Sequence, residues 1–237
     1  QDLESKITDK TKAVLLNSPN NPSGAVYSSS VISELADMLN RKSDEYGTEI
    51  FIISDEPYRK VIFDGLSYPF PERTYIRTLT VNSHSKDLGL PGERIGYLAV
   101  HPDYSGATEL MDAIIFCNRV LGFVNAPALM QRAVRVLQEV TIDVDEYRAK
   151  RDFLFHELTS LGYEIVKPEG AFYMFPKSPV EDELEFVNAL QAQGVLVVPG
   201  RGFGLPGYFR ISYCVPQEVL ERSIHGFRVV ASDMGIC

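Results

Sequence analysis

The chain has 237 residues, 45% hydrophobic and 23% charged, and its 23 Lys and Arg against 32 Asp and Glu leave a formal charge of −9. That composition excludes a disordered or collagen-like chain, and its acidity excludes the long basic footprint that neutralises nucleic-acid phosphates. It predicts one large domain, or a main body with a smaller companion, and a small-molecule or protein partner. Cys117, Cys214 and Cys237 are odd in number and far apart, which fits a reducing compartment and offers neither a disulfide framework nor metal spacing. The apolar runs at 13–16 and 194–198 fall far short of the roughly 20 residues that span a bilayer. The first residues lack a signal peptide's basic and apolar regions. These features predict a cytoplasmic protein with no membrane or metal partner.

Along the chain, a strand over 13–16 empties into Asn17-Ser18-Pro19-Asn20-Asn21-Pro22-Ser23-Gly24, a dense cluster of turn formers. Three serines precede Val31, Ile32, Leu35, Met38 and Leu39, whose spacing predicts a helix closed by Gly47. A strand over 50–53 ends in Ser54-Asp55-Glu56. The alternation reads as a βαβ unit of a parallel sheet, where ligands sit beyond the carboxyl ends of strands, so that Asn21 and Asp55 share one edge. A strand over 78–81 runs into Asn82-Ser83-His84-Ser85-Lys86, and another is expected over 94–100. Helices follow over 108–140, broken at 122–127, and over 144–161, ending at Gly162. Beyond Gly162 the pattern predicts strands at 163–166, 171–175, 195–198 and 208–213, with helices at 182–193 and 216–231. The fold class is therefore α/β: a mostly parallel sheet in a three-layer large domain over 1–142, then a smaller α+β domain over 143–237, joined by a helix.

Three constellations carry chemistry. Lys86 at the mouth of a parallel sheet, if desolvated or set beside other cations, can form a Schiff base with an aldehyde, while Ser83, Ser85 and Arg94 suit a phosphate. A solvated surface loop is the bland alternative. Asp55 can pair with a protonated ring nitrogen and Tyr58 can hydrogen-bond a ring hydroxyl, as an electron-sink cofactor such as pyridoxal phosphate requires. Taken alone, Asp55 is as well explained as a helix cap. Asn21 can donate to the same ring oxygen, although, taken singly, an Asx-type turn is the better account of it.

Together, and in this order, Asn-Ser-Pro-Asn-Asn-Pro-Ser-Gly, Ser-Asp-Glu-Pro-Tyr, Ser-His-Ser-Lys-Asp-Leu-Gly-Leu-Pro-Gly-Glu-Arg-Ile-Gly-Tyr, Lys-Pro-Glu-Gly-Ala-Phe-Tyr and Phe-Arg-Ile-Ser resemble the class I/II aminotransferases of the fold-type I pyridoxal-phosphate family. The resemblance runs from residue 17 to 212. It implies a Schiff base on Lys86, which later shuttles the substrate Cα proton, and Asp55 on the pyridine nitrogen. It places Tyr58 and Asn21 on the phenolic oxygen, Ser83, Ser85 and Arg94 on the phosphate, and Arg210 on the substrate α-carboxylate, with Asn21 beside it. It also implies pyridoxal 5′-phosphate as cofactor, an amino acid and a 2-oxo acid as substrates, and a homodimer. His84, His101, His156 and His225 receive no chemistry. Phe172, Tyr173 and Phe175 are expected in the core, and Arg201 reads as a loop cation.

Against that family the chain lacks a front half, including sheet strands expected on both sides of those retained, so both sheet edges are expected to be open. A chain of this length by itself is expected to bind the cofactor poorly and to be inactive alone. A carbon-sulfur lyase shares every quoted motif, and an aminotransferase-like effector domain of a transcription regulator is the rival from another class.

Overall fold

A computed structural model describes residues 2–235; Gln1, Ile236 and Cys237 lie outside the described residues. The chain forms two compact units. The first comprises the residues up to Ser18, Tyr27–Lys60 and Ser67–Ile142; the second comprises Pro19–Val26, Val61–Leu66 and the chain from Asp143 onward.

The first unit begins with a short helix, α1 (Asp2–Lys6), and strand β1 (Ala13–Asn17). Helix α2 (Ser29–Tyr46) starts where the Ser28 hydroxyl accepts the Val31 amide and stops at Gly47, whose φ of 59° is a left-handed conformation that suits glycine. Its Ile32, Leu35, Ala36, Met38 and Leu39 recur at helical spacing and are buried against Ile7, Leu16, Ile50 and Ile52. Strands β2 (Phe51–Asp55), β3 (Thr78–Ser83) and β4 (Gly96–Val100) complete a sheet of order β1-β2-β3-β4. The first three strands are parallel. β4 is antiparallel to β3 because only the turn α3 (His84–Asp87) and a short loop separate them, too little chain for a crossover. Helices α4 (Ala107–Val120) and α5 (Ala128–Val136) flank the expected break. α4 buries none of its residues and leaves Phe116 and Val120 more than 60% exposed, while on the edge strand β1 Leu15 is 70% exposed.

The second unit holds α6 (Val144–Ser160), α7 (Glu183–Ala192) and α8 (Gln217–Asp233) with strands β5 (Tyr173–Met174), β6 (Val198–Pro199) and β7 (Phe209–Ser212) in the antiparallel order β5-β7-β6. Its core is aromatic. Tyr163 sits edge-on to Phe186, Phe209 and Phe227 at centroid distances of 5.8, 6.4 and 5.8 Å, and its hydroxyl donates to the Phe227 carbonyl at 2.9 Å. The strand expected over 163–166 does not form: Tyr163 is drawn into this cluster, and the Glu164 carbonyl meets a single amide, that of Lys177. The strands expected over 171–175 and 195–198 shorten for the same reason, since only the pairings with β7 complete a ladder.

Pro19–Val26 and Val61–Leu66 join this unit through backbone bonds. The Gly24 carbonyl accepts from Glu169 and Gly170, the Phe63 amide donates to Glu169 and the Ala171 amide to Val61. Gly24 has φ +72°, and a Cβ there would lie 2.6 Å from that of Pro168, so the close approach requires glycine. Arg151, with no exposed side-chain surface, fastens the second insertion by a bidentate pair to Asp64 at 2.7 and 3.0 Å and by a bond to the Pro168 carbonyl. No helix among the described residues is long and apolar enough to cross a membrane.

Candidate functional site

In the first unit the parallel strands β1, β2 and β3 end at one sheet edge, with Asn17 in register with Asp55. The Asn17 amide donates to Asp55 Oδ2 at 2.9 Å and to the Asp55 carbonyl at 3.1 Å. Burial raises the Asp55 carboxyl above the usual carboxylate range, and Asn17 offsets part of that rise. Sequence reasoning missed Asn17. The available signal was its place as the last residue of the strand beside β2. Beyond Asp55 the chain turns, burying Glu56 and Tyr58. Among the described residues both Glu56 carboxylate oxygens lie without a hydrogen bond, 3.5 Å from Arg59 at the closest, and desolvation pushes the carboxyl up to about 7 against the pull of Arg59.

β3 runs directly into α3. The Ser83 hydroxyl accepts the Ser85 amide at 3.2 Å and donates to the Ser85 hydroxyl at 2.8 Å, which caps the turn carrying Lys86. Arg94 reaches the same edge, because Ser83 pairs with Gly96 across β3 and β4. Its guanidinium folds back on its own turn, donating to the Pro91 carbonyl at 3.1 Å, and the side chain is exposed. His84 is buried, with Nδ1 at 3.2 and 3.3 Å from the two oxygens of Asp87.

In the second unit Arg210 on β7 donates from Nη1 to Asn21 Oδ1 at 2.9 Å. Its guanidinium carbon lies over the rings of Tyr173 at 4.5 Å and Phe203 at 4.8 Å. Its Nε is buried and has no hydrogen-bond acceptor among the described residues. The Asx turn belongs to Asn20, whose Oδ1 accepts from the Ser23 amide and hydroxyl. Arg201 is tied to Glu183, which also accepts the Gly207 amide; these donors hold the Glu183 carboxyl down to about 2. The 200–207 loop that presents Phe203 is thereby fixed, a role that the glycine-rich sequence did not disclose.

The family model for Aminotransferase class I and II matches residues 1–227. The chain belongs to this family. Among its relatives, the probable aspartate/prephenate aminotransferase of Aquifex aeolicus is 33% identical over 99% of this chain and 61% of its own length. The aspartate/prephenate aminotransferase of Thermus thermophilus is 35% identical, over 93% and 57%. An aminotransferase crystal structure from Eubacterium rectale superposes with a TM-score of 0.94 at 44% identity, covering 98% of this chain and 58% of that one. The chain thus spans about three-fifths of the length of the relatives it matches. Its α/β fold with a mostly parallel sheet is that of the aminotransferase structures.

Proposed function

We propose that this chain works in the transfer of an amino group from an α-amino acid to a 2-oxo acid, with pyridoxal 5′-phosphate as cofactor and Lys86 as the amine that captures it. The observation that carries this reading is the common edge at which β1, β2 and β3 end, where Asp55, its partner Asn17 and the turn bearing Lys86 emerge. The residues fit the group. Asp55 is a half-buried carboxyl disfavoured as an anion by its surroundings, a condition that a cationic ring N–H would relieve. Arg210 keeps a buried donor without an acceptor between two aromatic faces, which suits a carboxylate.

Pyridoxal phosphate, when bound, supplies an aldehyde that captures amines and a conjugated ring that takes up the electron pair released at the substrate Cα. In this reading Asp55 holds the proton on the ring nitrogen, with Asn17 holding Asp55. Tyr58 and Asn21 donate to the phenolic oxygen; the Asn21 carboxamide oxygen already accepts from Arg210, so its NH2 is the end suited to that donation. Ser83, Ser85 and Arg94 take the phosphate, which requires the Arg94 guanidinium to leave Pro91. Lys86 would take the proton from the substrate Cα and return it at the former aldehyde carbon of the cofactor. Arg210 orients the substrate by its α-carboxylate, in part by proximity.

The reading includes a homodimer in the cytoplasm, the former on the family resemblance and the latter on cysteine usage, with Cys117 and Cys214 both free thiols. The choice of side chain stays unassigned, since relatives of similar identity are named for aspartate, prephenate and aromatic amino acids. The test supplies the protein with pyridoxal phosphate, a nitrogen-labelled amino acid and a 2-oxo acid. Label should appear in the new amino acid with the wild type and not with Lys86→Ala. No transfer by the wild type, or release of ammonia without an acceptor, overturns the reading.

A further inference from the structure

Asp87, the neighbour of Lys86, is buried, and its carboxylate lies between two cationic or donor groups: His84 Nδ1 at 3.2 Å and the Lys60 ammonium at 3.8 Å. As donor to a carboxylate, His84 Nδ1 carries the proton. Lys60 also donates to the carbonyls of Gln138 and Val140, the latter at 3.1 Å, beyond the end of α5. The Asp87 carbonyl accepts the Ile142 amide at 2.8 Å and the Thr141 hydroxyl at 3.1 Å. Asp87 therefore joins three pieces of the first unit: the lysine turn, the end of the segment at Lys60 and the stretch 138–142. Lys60 and Ile142 are each the last residue before the chain passes into the second unit, at Val61 and at Asp143.

We propose that Asp87 is a positioning residue: it fixes the turn that presents Lys86 to the two chain segments, ending at Lys60 and Ile142, through which the first unit continues into the second. The inference rests on the reading of Lys86 as the cofactor lysine. The physical reason is the cost of the alternative. A buried carboxylate that loses its partners is strongly disfavoured, so the turn and both segments keep one common arrangement while Asp87 is satisfied. Asp87 is held at both its carbonyl and its carboxylate, which leaves the turn beside it little freedom to reorient Lys86.

The test compares wild type, Asp87→Ala, Asp87→Asn, Lys60→Met and the Asp87→Ala/Lys60→Met double variant. One readout is the rate at which Lys86 becomes covalently modified by pyridoxal phosphate, trapped by borohydride reduction and located by mass spectrometry. The other, independent of cofactor, is amide hydrogen exchange over 84–88 and 138–142, with α2 and α8 as internal controls. Lys60→Met should slow modification of Lys86 by about tenfold, on the order expected when a buried carboxylate loses a partly exposed ion-pair partner. It should also speed exchange in both segments while leaving the controls unchanged. In the Asp87→Ala background its effect on Lys86 modification and on exchange over 84–88 should vanish, which general destabilisation would not produce. Asp87→Asn, which keeps an acceptor for His84, should fall between. If Asp87→Ala fails to fold, the Asp87→Asn and Lys60→Met pair decides. Wild-type exchange and modification rates in Lys60→Met overturn the proposal. Unmodified Lys86 in the wild type sinks the cofactor reading instead, and the exchange data then judge Asp87 by themselves.

Discussion

Replacing Glu56 by Gln should stabilise the protein at pH 8 and do so far less at pH 5. The Glu56 side chain has no exposed surface and neither oxygen has a hydrogen bond. Its carboxyl rises from the ordinary 4.5 to about 7, first through desolvation, with Arg59 opposing and Glu72 adding to the rise. The folded state therefore holds this proton more tightly than the unfolded state. Below the unfolded value both states are protonated and the group costs nothing; through the window from 4.5 to about 7 the cost grows, and above it the cost is complete. At about 1.4 kcal/mol per unit, the full penalty is about 3.5 kcal/mol. Glutamine cannot ionise and so escapes it, while Arg59, 23% exposed, can turn to water. Urea unfolding of both proteins at the two pH values isolates the effect, because every other titration is common to them. A gain that does not depend on pH, or a variant less stable than wild type at pH 8, would refute the reasoning.

Three further outcomes follow from the packing. Phe186→Ala removes a fully buried ring 4.8 Å from Phe209 and should cost about 3–5 kcal/mol, read as a lower urea midpoint. Gly24→Ala forces a Cβ into a positive-φ position facing Pro168 and the Gly170 carbonyl, and should cost at least 1–3 kcal/mol, roughly, by thermal unfolding. Arg210→Lys keeps the charge but loses the planar fork between Tyr173 and Phe203; calorimetry with a 2-oxo acid should show affinity about ten- to a hundredfold weaker.

The sheet of the first unit was legible because each apolar run empties into polar residues, a pattern that a parallel sheet imposes where its strands end. That placed Asp55 and Ser83 at strand ends and Lys86 in the turn that follows β3. The helix ends at Gly47 and Gly162 were legible for a local reason too, since a left-handed residue has few substitutes. What escaped depended on partners distant in sequence. Asn17 matters through its register with Asp55, and Asp87 through Lys60 and the 138–142 stretch; a Lys-Asp pair alone reads as a charged surface. The short strands of the second unit were overestimated because alternation marks a half-buried segment whether or not a ladder partner exists. The segments 19–26 and 61–66 join the second unit through backbone bonds to 168–171, which carry no side-chain signature.

The most direct measurement of the central claim is to incubate the wild type and Lys86→Ala with pyridoxal phosphate, reduce with borohydride and map the modified residue by mass spectrometry. The account requires a single dominant adduct at Lys86, lost in the variant and diminished when an α-amino acid is added before reduction. Adducts scattered over exposed lysines such as Lys10 and Lys12, with Lys86 no more reactive than they are, would contradict it.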